Sequence, residues 1–164
     1  MTIRNLTDFS EIEPAFRERI DKMVWCAVAT VDTHGRPANR LLHPNWEGDT
    51  GWILTYRNSV KRLHLAKNPY VSLAYVSDVV NPVYVEAIAG WEEDPEVRRR
   101  VWELFKSNPE PLGYDPEPMF GSPDHENTGL LRIEPWKITL ATLGGDPWQI
   151  VWRKVDDDES DDMP

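Results

Sequence analysis

Arg40, Ser59 and Lys61 are the residues whose types and spacing point most directly to chemistry. Within Thr55-Tyr56-Arg57-Asn58-Ser59-Val60-Lys61-Arg62 an apolar run ends, a hydroxyl residue stands where it can cap a short helix, and a lysine falls in that helix's first turn. The first N–H groups of a helix have no partner within it, and the positive end of the helix dipole lies there, so an anion is favoured. A lysine in that turn works against the dipole unless an anion is bound beside it. Arg40 precedes this run on another strand-like segment and reaches the same place if the two strands are antiparallel neighbours; its planar fork suits phosphate oxygens. Two readings stand: a phosphate site for a phosphorylated cofactor whose ring lies on a sheet surface, or an ordinary surface helix with solvated lysines.

Other chemistries find less support. His34, His43, His64 and His125 show neither close i, i+4 pairing nor cysteine partners, so no metal framework is expected. The single cysteine, Cys26, lies in an apolar run and is expected to be a buried, inert thiol rather than a nucleophile. Gly144-Gly145 is a turn pair, not a phosphate-cradling loop. His43 and Tyr84 are expected to pack rather than touch a substrate. Trp25, Trp46, Trp52 and Trp91 are expected in the core, while an indole such as Trp136 would suit the edge of a flat aromatic cofactor. Arg98, Arg99 and Arg100 read as the solvated face of their helix.

The elements that must position these residues are mostly strands. Residues 10–22 read as a helix, with Ser10 and Glu13 in a capping-box pattern and Pro14 in the first turn. Strands are expected at 25–31 and 38–43, joined by a turn around Gly35, then at 51–56, 70–76, 83–91, 130–143 and 148–154. Ser59 opens a helix over 60–67 that Asn68-Pro69 ends, and Asp94-Pro95 opens another running to about residue 107. The proline-rich stretch 108–128 is a loop too long to be idle filler. Links between strands are mostly too short for crossovers, so an antiparallel barrel or sandwich with flanking helices is expected.

Composition bounds the rest. The chain has 164 residues with a formal net charge of −10, from 18 basic and 28 acidic side chains. Six of the acids lie in 156–164, which reads as an acidic disordered tail, leaving 18 basic against 22 acidic residues over 1–155. That length suits one domain over 1–155. The totals supply no basic face for nucleic acid. No apolar run approaches the ~20 residues of a membrane helix, and no secretory leader pattern opens the chain, so a cytoplasmic protein is expected.

The order of several short motifs resembles the pyridoxamine 5′-phosphate oxidase-like superfamily of split β-barrel flavin-binding proteins. These are Ala29-Thr30-Val31-Asp32 leading to Gly35-Arg36-Pro37, Thr55 with Ser59-Val60-Lys61, Asn68-Pro69-Tyr70-Val71-Ser72-Leu73, Val83-Tyr84-Val85-Glu86, and Pro135-Trp136. The resemblance covers about 23–154 and implies a six-stranded antiparallel split barrel that dimerises, with FMN held across the subunit interface. It implies that Arg40, Ser59 and Lys61 hold the FMN phosphate, that Val60 lies with them, and that Leu41 and Leu42 run beneath the isoalloxazine. Leu54 and Thr55 would line the ring, and Trp136 would reach the flavin from the partner subunit.

The departures narrow the function. Val60 stands where the family oxidase usually has an arginine, and Pro82 where a glutamine usually touches the flavin. Thr142 and Gly144 replace the substrate-binding Arg-x-His pair. Oxidation of pyridoxamine phosphate itself is therefore not expected. The resemblance implies an FMN-dependent oxidoreductase acting on another small molecule. The alternatives are a reductase using the deazaflavin coenzyme in the same groove, whose longer anionic tail would meet Arg57 or Arg62, and a non-catalytic flavin-binding or stress-related protein.

Overall fold

The computed structural model describes residues 1–155, so the expected acidic tail, 156–164, lies outside the described residues. In chain order the elements are β1 (Thr2–Leu6), α1 (Phe9–Met23), β2 (Cys26–Val31), β3 (Pro37–Leu42), β4 (Asn45–Glu47), β5 (Thr50–Tyr56) and α2 (Val60–Lys67). There follow β6 (Tyr70–Tyr75), β7 (Val83–Trp91), α3 (Pro95–Ser107), α4 (Glu117–Phe120), β8 (Thr128–Thr142) and β9 (Trp148–Arg153).

Alternation along the strands decides which face looks inward. In β2 the residues Cys26, Val28 and Thr30 are buried while their neighbours are half-exposed, and β7 buries Val83, Val85, Ala87 and Ala89 in the same rhythm. Six strands form an antiparallel run in the order β3-β2-β6-β7-β8-β5. β8 makes this possible by its length: its first half pairs with β5 and its second half with β9, while β7 runs along most of it. The sheet bends round a core of Ile53, Leu73, Tyr75, Val83, Val85, Ile133 and Ile138, with α1 contributing Ile12, Phe16 and Ile20. It does not close between β3 and β5, which makes it the split barrel that was expected. A second apolar cluster lies outside, where Trp52, Leu54 and Leu130 meet Val101, Trp102 and Phe105 of α3 and Phe120 of α4.

Several elements differ from expectation. β1 pairs in parallel with β9, from the opposite end of the chain; its mixed sequence Thr-Ile-Arg-Asn-Leu has no strand pattern of its own. β4 and α4, three and four residues long, are likewise set by tertiary contacts. α1 starts at Phe9 because Asp8, not Ser10, is its cap: the Asp8 carboxylate accepts from the Ser10 N–H at 2.9 Å, moving Pro14 into the second turn. Trp25 lies outside the core at 53% exposure. Val24 adopts φ 63°, ψ −60°, a γ-turn closed by Trp25 N–H to Met23 O at 2.7 Å, and this strained turn throws the indole outward. No helix among the described residues is long and apolar enough to cross a membrane.

Candidate functional site: a cationic pocket at the start of α2

Ser59 occupies the cap position of α2 with extended backbone (φ −129°, ψ 164°), yet its side chain caps nothing. Its Oγ is buried and has no hydrogen-bond partner among the described residues. A hydroxyl left bare at a helix start is costly unless something else fills its place. Lys61, in the first turn, is only 9% exposed and makes no hydrogen bond or ion pair with any described residue. Burial first, and the charge of Arg40 second, push its pKa below the ordinary lysine value. Two cations are thus held together where no acid has been placed between them.

Arg40 reaches this place from β3, although β3 and β5 are not the antiparallel neighbours expected and stand at opposite ends of the run. Its Nη1 donates to the Val28 carbonyl at 3.1 Å and to Thr30 Oγ1 at 2.7 Å, leaving its Nε and Nη2 protons for another acceptor. Thr30 Oγ1 lies 2.8 Å from Nδ1 of His64, so a chain of three polar side chains, half-buried Arg40 and buried Thr30 and His64, ties β3 through β2 to α2. His64 stands one turn after Lys61 on the same helix. Neither Thr30 nor His64 is among the site residues expected from the sequence. Their inward position on a strand and spacing from Lys61 were the signals that could have found them.

The approach to α2 is pinned by a residue distant in sequence, Asn127, which lies beside it at the start of β8. The Arg57 N–H donates to Asn127 O at 2.9 Å, and the Asn58 N–H to Asn127 Oδ1 at 2.7 Å. The Arg57 guanidinium pairs with Glu93 and lies 5.5 Å from the Trp91 ring centre. Burial, then Arg98 and Arg62, lower its pKa. Arg98 is not simply solvated, since its Nη2 donates to Thr128 O at 2.6 Å; Arg99 and Arg100 pair with Asp124 and Glu47.

The other residues named from the sequence are distributed as follows. Leu41 points outward at 68% exposure, while Leu42 packs on the main core. Leu54 is buried beneath α3 and Thr55 is buried on the opposite side of β5. Val60 is 63% exposed at the start of α2. Trp136 stands at 39% exposure on β8, the fourth strand along from β3, where a bulge interrupts the pairing with Glu86 and Ala87. Within one chain the charge of Arg40 reaches Lys61, Ser59 stands two residues before that lysine at the cap of α2, and Trp136 lies apart. His43 packs as expected, between Trp25, Phe105 and Tyr114, and its burial pushes its pKa down. Among the described residues no group of three His, Cys, Asp or Glu is placed to hold a metal ion.

The family profile described as pyridoxamine 5′-phosphate oxidase matches residues 12–141, most of the chain. The chain belongs to the pyridoxamine 5′-phosphate oxidase-like family. No curated protein sequence matches it. Among solved structures it is similar to a Clostridium acetobutylicum protein related to general stress protein 26, with 14% identity and a TM-score of 0.69 over 89% of this chain and 96% of that one. It is similar to an FMN-binding protein of the same family from Nostoc punctiforme, with 18% identity and a TM-score of 0.63 over 88% of each chain. A third likeness is to PhzG from Burkholderia lata, solved with tetrahydrophenazine-1-carboxylic acid, with 14% identity and a TM-score of 0.69 over 93% of this chain and 89% of that one. At such identities these neighbours establish the split-barrel fold.

Proposed function

We propose that this protein is a homodimeric, cytoplasmic FMN-dependent oxidoreductase acting on a small molecule, with the FMN phosphate held by Arg40, Ser59 and Lys61. The observation that carries the reading is the unpartnered Ser59 Oγ beside a buried lysine that has no counter-charge. A phosphate supplies what both lack: acceptors for the hydroxyl and the ammonium, and negative charge against the Arg40–Lys61 pair. Val28 and Thr30 hold one edge of Arg40 and leave the other free to donate two parallel hydrogen bonds. When bound, FMN supplies hydride transfer; the residues here bind and orient it. The dimer is supported by the outer face of the sheet, where Tyr70 lies opposite Ile88 and Tyr84 opposite Ala74, an apolar surface that a second copy would cover while bringing its Trp136 to the flavin.

Arg62, exposed beside Lys61, favours a second reading, the deazaflavin coenzyme with its longer anionic tail. Titration of the purified protein with each coenzyme decides between them. FMN binding with a flavin absorbance band is expected, and Lys61→Ala should weaken it by ~1.5–3 kcal/mol, the range for charge-assisted hydrogen bonds. Tight binding of deazaflavin alone would select the second reading. Binding of neither would leave a protein that has kept the fold and not the redox role.

A further inference from the structure

The proline-rich loop, long enough to demand a purpose, finds one in Asn127, the residue just before β8. The connection from β5 to α2 is three residues long, and on its course depends the direction in which Ser59 and Lys61 face. Two of its backbone N–H groups, of Arg57 and Asn58, are taken by Asn127, through its main-chain carbonyl and its side-chain Oδ1. Only the oxygen of the amide can face an N–H donor, so the orientation of the Asn127 side chain follows from its partner. Asn127 is itself fixed on both sides. Its N–H donates to Nδ1 of His125 at 3.1 Å. The next residue, Thr128, begins β8 opposite Tyr56, and its hydroxyl donates to the Phe120 carbonyl at 2.8 Å. Beyond the connection, Ser59 N–H returns to Arg57 O at 2.9 Å, so the placement of residues 57 and 58 passes directly to Ser59.

We propose that Asn127 is a positioning residue for the anion pocket: it touches no cofactor, and its side-chain oxygen sets the path of residues 57–59 so that Ser59 and Lys61 meet a phosphate. The inference rests on the FMN reading above and goes beyond it, because it assigns to the far loop control over the phosphate end of the site alone. A residue acting only through fold stability would weaken every flavin alike. A residue acting through the phosphate loop discriminates between a flavin that carries a phosphate and one that does not.

Riboflavin supplies that comparison, being FMN without its phosphate. In Asn127→Ala the main-chain bond to Arg57 remains and the bond to Asn58 is lost. Fluorescence titrations of wild type and variant with both ligands should show FMN affinity falling fivefold or more and riboflavin affinity within twofold of wild type. Equal losses for the two ligands, or no loss for FMN, would overturn the positioning role while leaving the FMN reading in place. A wild-type protein that binds no FMN would overturn both. If Asn127→Ala does not fold, Asn127→Gln, which keeps the amide but moves its oxygen by one methylene, should give the same selective loss.

Discussion

A lysine ammonium withdrawn from water, within reach of a guanidinium's charge, stays charged only at a cost in folding energy. The pKa of Lys61 is depressed accordingly, and a bound anion would offset that cost. Cys26 shows the opposite case. Burial raises its thiol pKa to about 12, above the ordinary value of 9, so folding favours the protonated form. The stability this gives is complete below pH 9 and is lost as pH rises from about 9 towards 12. Ellman's reagent at pH 8 should therefore find no reactive thiol in the folded protein and one equivalent in guanidinium, and alkaline unfolding should set in above pH 9. At this scale the sequence was informative where chemistry is local. A serine and a lysine two residues apart at a helix start declare themselves, and an isolated cysteine among apolar residues does likewise. Thr30, His64 and Asn127 did not declare themselves, because their roles exist only once β2, α2 and the start of β8 are brought together.

Among the elements, the pairing of β5 with β8 carries the most weight for the site, since at one end of that ladder β5 leads into α2 and β8 begins just after Asn127. Gly129 lies opposite Thr55 in that ladder. A Cβ there would fall 2.4 Å from Trp91 Cζ3 and 3.1 Å from the Thr55 carbonyl. Trp91 is the ring beside which Arg57 lies, so it cannot shift freely. Gly129→Ala is expected to cost ~1–3 kcal/mol, the range for overpacking, read from urea unfolding. The strand pattern and the two long helices could be read in advance because period-2 and period-3.6 burial is written into their residues. What could not be read was settled by neighbours. Asp8 outcompetes Ser10 as cap; Trp25 leaves the core because the Val24 turn directs it out; α4 forms where Phe120 finds the cluster under α3.

For the whole molecule, the decisive matter is what covers the outer face of β6 and β7. Tyr84 and Ile88 project there, both exposed in a single chain, so their replacement should leave the fold of each protomer intact. In the proposed dimer they would be buried. Ile88→Glu or Tyr84→Glu is expected to shift sedimentation from dimer to monomer and to weaken FMN binding at the same time, since Trp136 of the second copy is withdrawn with it. A dimer unchanged by both substitutions would place the interface elsewhere on the molecule.

Among the described residues β1 is the sole parallel addition to the sheet, and it lies along the otherwise open flank of β9. Unpaired N–H and C=O groups on such a flank recruit strands from other molecules. Five residues with little β-character of their own therefore act as a guard rail: they satisfy the hydrogen-bonding capacity of Trp148–Arg153 within the chain. Trimming them would leave the Arg40–Lys61 end of the molecule untouched and open the flank of β9 to strands of other copies.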